Sequence, residues 1–247
     1  HIVDMCKIFS ETLKKEYGDG LVSYASKAFC CKEIYRIIND CSLGADVVSG
    51  GELYTALKSG FPADKLTFHG NNKSKEELTE AVVCGVGEIV IDSYEEIDDL
   101  NAICENFGKV QNVLIRVNPG VEAHTHHFIQ TAKPDSKFGF SVSDGSAELA
   151  IEKTSKAKHL SLKGLHCHIG SQIFEKKSFV LAVDKMTDFY KRIKDETGIE
   201  FSVLNLGGGF GIYYSEGDPK LTLSDYAEYV KTIADELKKC IKEKGLK

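Results

Sequence analysis

One alternation constrains this chain more than any other feature. Short apolar runs are each followed by a longer stretch of helical periodicity, again and again along its length. The runs are Leu21–Lys27, Ala45–Ser49, Lys65–His69, Glu88–Asp92, Val113–Asn118, Leu162–Gly170 and Leu204–Gly207. Between the first two, Ile34, Ile37, Ile38 and Cys41 follow the i, i+3, i+4, i+7 spacing of one buried helix face. Ser49-Gly-Gly-Glu52, Ser74-Lys-Glu-Glu77 and Ser93-Tyr-Glu-Glu96 fit the S-x-x-E capping box, in which serine and glutamate satisfy free backbone donors at a helix start.

Strand–helix units repeated in this way predict parallel strands joined by crossover helices. Seven strands fit both a doubly wound open sheet and a (β/α)₈ barrel. The 247 residues are close to the roughly 250 of a single barrel. A barrel needs an eighth strand, and the chain stops where that strand would begin. The start at His1 and the end at Lys247 both fall beside helical patterns, so residues 1–247 read as one incomplete domain. In either fold, chemistry belongs at the C-terminal ends of the strands. Lys27, Asp46, His69, Arg116, His168 and Gly207–Gly209 are placed there.

Composition narrows the partners. A formal net charge of −6 gives no electrostatic footprint for nucleic acid or an anionic membrane. No apolar run approaches the roughly 20 residues that span a bilayer, and the N-terminus lacks a signal-peptide pattern. The eight cysteines form no CxxC pair, which predicts free, mostly buried thiols in a reducing compartment, by default the cytoplasm.

Each candidate residue has a functional and a plain reading. Lys27, in Tyr24-Ala-Ser-Lys27-Ala-Phe29, is either a desolvated amine that can form a Schiff base or a surface lysine where a strand emerges. On a strand, His166 and His168 would share a face. They can be metal ligands, a platform for a flat ring, or hydrogen-bonded core residues. Gly207-Gly208-Gly209-Phe-Gly211 can close its amides on a phosphate or form a tight turn. It is not a dinucleotide fingerprint, because Ile212 stands where the third glycine belongs. Ser171 can offer a hydroxyl to the same anion. Asp46 is a partner for the lysine or a cofactor, or a turn residue. Glu52 reads as a cap, and Arg116 as a mouth residue or half of a salt bridge. His124, His126 and His127 match no familiar metal-ligand set and read as a solvated loop. Together, an amine, a ring platform and a phosphate cradle at one rim are what pyridoxal phosphate requires.

At these residues the sequence resembles the fold-type III pyridoxal-phosphate-dependent decarboxylases. The matching blocks run nearly end to end: Ser23–Phe29, Gly44–Leu53, Phe68–Ser74, Arg116–Val121, His124–His126, Asp135–Phe140, Leu165–Gln172 and Leu206–Ile212. The resemblance implies an alanine-racemase-like TIM barrel, cut before its last strand, that decarboxylates a small amino acid. It implies pyridoxal 5'-phosphate tethered to Lys27, with His168 stacked on its ring. Ser171 and Gly207–Gly209 would hold the phosphate, Asp46 would lie beside the cofactor and Arg116 near its ring. Lys137 would fall near the entrance and a homodimer contact. Thr131-Ala132 stands where the family has Thr-Gly. The family's Glu-Pro-Gly-Arg strand and following β-domain are absent from the chain, which implies that it is inactive alone. The His124–Phe140 block and the His-Cys-His-Ile-Gly-Ser-Gln form point to the branch acting on meso-diaminopimelate. Ornithine, arginine or carboxynorspermidine are alternative substrates. A non-catalytic cofactor carrier and a metal-dependent hydrolase using His166 and His168 are the rival classes.

Overall fold

The computed structural model describes residues 1–121 and 138–247; His124, His126, His127 and Lys137 fall outside them. Helix α1 (Ile2–Glu16) precedes β1 (Ser23–Ala25). Then follow α2 (Lys32–Asp40), β2 (Gly44–Val47), α3 (Gly50–Ser59), β3 (Leu66–Phe68), α4 (Lys75–Cys84), β4 (Glu88–Ile91), α5 (Tyr94–Asn106) and β5 (Gln111–Asn118). The second half holds β6 (Phe140–Ser141), α6 (Ser146–Lys156), β7 (Leu160–His166), α7 (Lys176–Thr197), β8 (Val203–Asn205) and α8 (Leu223–Lys244).

Every ladder is parallel, and the strand order is β1-β2-β3-β4-β5-β7-β8. A doubly wound sheet reverses its order at a switch point. Here neighbours follow the chain in one direction, as in a barrel wall, so the barrel is the observed solution. The two-residue β6, which periodicity does not predict, lies off this path and pairs in parallel with the last two residues of β5, Val117 and Asn118. The central strands turn their aliphatic side chains toward the covering helices, whereas the inward face mixes Asp46, Thr67, Glu88 and Arg116 with Val90 and Leu114. Ala45, Phe68, Ile89, Ile91, Val113 and Ile115 are all fully buried.

Among the described residues no ladder joins β8 to β1. A cavity of about 1430 Å³ lies along this seam, lined by Leu21, Tyr24, Leu204 and Leu206 with Phe9 from α1 and Ile233 from α8. Asp46, Thr67, Glu88 and Asn112 also line the cavity, and α1 packs on α8 along the outside of the seam.

Several strands are shorter than the apolar runs. β1 stops at Ala25, and Ser26–Ala28 form a 3₁₀ turn that carries Lys27. β7 stops at His166, so His168 is not on the strand and the shared-face expectation for the two histidines does not hold. Of the predicted capping boxes, Ser74 with Glu77 is complete. Ser49 and Ser93 accept their helix amides. Glu52 and Glu96 instead reach one residue further back, to the N–H groups of Val48 and Asp92. The cysteines are free thiols, with Cys6, Cys104, Cys167 and Cys240 buried and Cys30 and Cys84 exposed.

Candidate active site

The turn that carries Lys27 is held from below. Tyr35 of α2 is fully buried, and its hydroxyl lies 2.7 Å from Ser26 Oγ and 3.3 Å from the Glu52 carbonyl. Burial pushes the Tyr35 phenol well above its usual range, so it stays a hydrogen-bond donor. Lys27 itself is exposed. The water exclusion expected from the sequence is thus not supplied by the described residues, because β1 is an edge strand beside the open seam.

Asp46 lies within β2 rather than at its end, in register beside Ala25, two residues before Lys27. Its Oδ1 is 3.4 Å from His69 Nε2, just past the end of β3, though without hydrogen-bond geometry. The His69 ring meets that of His166, the last residue of β7, with centroids 4.7 Å apart at 67°. Asp46 Oδ1, His69 Nε2 and His166 Nδ1 are buried polar atoms without a hydrogen-bond partner. Buried polar groups are almost always satisfied, so this row is suited to a polar group brought in from the mouth.

His166 and His168 are both held neutral. Burial is the main cause of their depressed pKa values; the charges of Arg116 and Lys27 also contribute, and His168 is lowered to about 3. Between them Cys167 is fully buried, its thiol pushed up to about 12 by the same desolvation. A neutral imidazole beside an exposed amine can present a flat face without adding positive charge.

His168 lies against the glycine turn after β8. Gly207 has φ +68°, and a Cβ there would meet the Cys167 carbonyl oxygen at 2.4 Å and His168 Nδ1 at 3.1 Å. Gly209 has φ +102°, and its Cβ would lie 1.9 Å from the Gly170 carbonyl oxygen. A Cβ on Gly208 would meet nothing within 4 Å. The outer glycines therefore let two loops pack, while the middle one presents bare backbone to open space. Ser171 is brought beside this turn by its neighbours. The Gln172 side chain donates to Ile212 O at 2.9 Å and accepts its N–H at 2.8 Å, and Ile173 bridges Phe210. The next helix starts only at Leu223, so an anion here would meet turn amides rather than a helix terminus.

Arg116, on β5, is buried and paired with Asp92 at 3.2 Å, the salt-bridge form of its two readings. In register it sits beside His166. The structure thus gathers Asp46, Arg116, His168, Ser171 and the glycines at one end of the sheet with Lys27. Sequence reasoning missed Tyr35 and Asp92; both act through partners remote in sequence, and only Asp92's place at the end of an apolar run marked it. Among the described residues no three His, Cys, Asp or Glu side chains converge as metal ligands. No described helix is long and apolar enough to cross a membrane.

A barrel-wound α/β chain with this rim matches a known family. The chain belongs to the pyridoxal-dependent decarboxylases, whose pyridoxal binding domain matches residues 5–246. It is similar to the diaminopimelate decarboxylase of Bacillus subtilis, 48% identical over 229 residues, which cover 93% of this chain and 52% of the relative. The enzyme of the same name from Halalkalibacterium halodurans is 46% identical over 227 residues, covering 92% and 52%. Among solved structures, diaminopimelate decarboxylase from M. jannaschii in co-complex with L-lysine has a TM-score of 0.80 at 34% identity, covering 96% of this chain and 55% of that one. The chain spans about half the length of these relatives.

Proposed function

We propose that the chain is the cofactor-binding barrel of a diaminopimelate decarboxylase, which releases one carboxylate of meso-diaminopimelate as CO₂ and leaves L-lysine. The observation that carries this reading is the placement of Lys27, His168, Ser171 and Gly207–Gly209 at one rim of a sequentially wound sheet in a member of the pyridoxal-dependent family. The substrate assignment is supported by the curated relatives and by the L-lysine held in the M. jannaschii neighbour.

The residues present fit pyridoxal phosphate. Lys27 Nζ would tether its aldehyde, the neutral His168 would face its ring, and Gly208 with Ser171 would receive its phosphate. Asp46 and Arg116 would line the ring's surroundings. When bound, the cofactor supplies a sink for the electron pair left on the substrate carbon as CO₂ departs. The chain's own contribution is to fix the Lys27 turn through Tyr35, to keep His166 and His168 uncharged, and to hold the glycine turn open. The homodimer implied by the resemblance is part of the same proposal.

A metal-dependent hydrolase is disfavoured by geometry, since His166 turns to His69 in the interior while His168 turns to the glycine loop. The test is CO₂ release by the intact gene product, loaded with pyridoxal phosphate, from meso-diaminopimelate, ornithine, arginine and carboxynorspermidine. Release from meso-diaminopimelate alone is expected. Release from another of the four instead would reassign the substrate, and failure to take up pyridoxal phosphate would overturn the reading.

A further inference from the structure

At the end of β4 one buried carboxylate holds two groups in place. Asp92 is 2% exposed at its side chain; its Oδ2 pairs with Arg116 Nη1 at 3.2 Å, and its Oδ1 accepts the Gly139 N–H at 2.5 Å. Gly139 has φ +71°, and a Cβ there would lie 2.9 Å from the Arg116 carbonyl oxygen, so only glycine allows this approach. Beside it, the Phe138 ring lies under the Arg116 guanidinium, 4.4 Å from the ring centroid. Asp92 is itself fixed from behind, because its N–H donates to Glu96 Oε2 at 3.0 Å. Glu96 in turn pairs at 2.7 Å with Lys73, which also donates to the carbonyls of Gly70 and Val90.

A guanidinium on a long stem loses much rotamer freedom when held in one direction, and a buried one needs a paired, hydrogen-bonded charge. Asp92 meets both requirements from a fixed position. We propose that Asp92 is a positioning residue. It aims Arg116 at the cofactor site and, through Gly139, locks the 138–141 segment against the arginine before the cofactor arrives. This rests on the proposed cofactor-binding role.

Two substitutions separate the functions. Asp92→Asn keeps an oxygen for Gly139 but removes the charge facing Arg116. Gly139→Ala keeps both charges but forces the clamp open. With the intact gene product, pyridoxal phosphate affinity and the circular dichroism band of the bound cofactor are measured beside the thermal midpoint. The proposal expects both variants to bind pyridoxal phosphate on the order of tenfold more weakly, about the loss of one charge-assisted hydrogen bond, with a diminished cofactor band. Should Asp92→Asn fail to fold, Gly139→Ala carries the comparison. Parent-like affinity and cofactor band in the variants that fold, with only a lowered thermal midpoint, would reduce Asp92 to a structural counter-ion and overturn the proposal. A parent that takes up no pyridoxal phosphate would instead overturn the functional reading itself, and this proposal with it.

Discussion

His69 and His166 meet edge to face with ring centroids 4.7 Å apart, joining the ends of β3 and β7 across the interior of the sheet. The pair sits in the interior, where burial holds His166 neutral. With His168 two residues on, burial leaves neutral histidines at the mouth of the barrel.

Acid should therefore loosen the fold. The folded pKa values of His166 and His168 lie below the ordinary value of about 6.5, so as pH falls the unfolded chain takes up protons first. Their stabilising contribution is complete above about pH 6.5 and declines as pH drops toward the folded values, about 3 for His168. Between pH 7 and pH 5 the loss is roughly 2 kcal/mol per imidazole at most. Glu88 and Glu96, raised mainly by burial, shift in the opposite direction. The check is urea unfolding of the parent against His166→Asn and His168→Asn at both pH values. Each variant should lose part of the parent's acid sensitivity; an unchanged slope would show that these histidines titrate normally.

The glycine turn predicts a split between neighbours. Gly209→Ala drives a methyl into the Gly170 carbonyl at a positive φ and should cost more than about 2 kcal/mol. Gly208→Ala meets no protein atom within 4 Å and should leave the thermal midpoint unchanged. If the turn cradles a phosphate, that second variant should still weaken pyridoxal phosphate binding roughly tenfold, or about 1.4 kcal/mol. Unaltered binding would remove Gly208 from the cradle.

Tyr35→Phe deletes the hydroxyl that lies 2.7 Å from Ser26 Oγ and leaves the ring in place. Stability should fall by about 1 kcal/mol, the net worth of one buried hydrogen bond. Amide hydrogen exchange at Lys27–Phe29 should quicken, because the turn loses its support. Exchange rates like the parent's would mean that β1 alone sets the lysine.

The seam makes a prediction of its own. Among the described residues β1 and β8 each leave one edge unpaired beside a cavity of about 1430 Å³, and such edges recruit others. The 247-residue chain in isolation should self-associate with rising concentration in light scattering. A monodisperse monomer at high concentration would show the seam to be closed in solution.

Periodicity made the strand–helix alternation, the seven path strands and the functional end of the sheet legible. It could not choose between winding patterns, because which strand lies beside which is a non-local fact. It also overran strand ends: Lys27 and His168 sit on turns shaped by Tyr35 and by the glycine loop, contacts that apolar patterning does not encode. Arg116 shows the same limit. Its partner Asp92 lies 24 residues away, and only the pairing of β4 with β5 brings them together. The serine halves of the caps were local and readable, whereas the reach of Glu52 and Glu96 to the preceding amide depended on how each chain entered its helix.

The central claim is that Lys27 carries the cofactor. Borohydride reduction of the intact gene product loaded with pyridoxal phosphate, followed by peptide mapping, tests it most directly. The account predicts a single labelled peptide containing Lys27; label on another lysine, or on none, would contradict it.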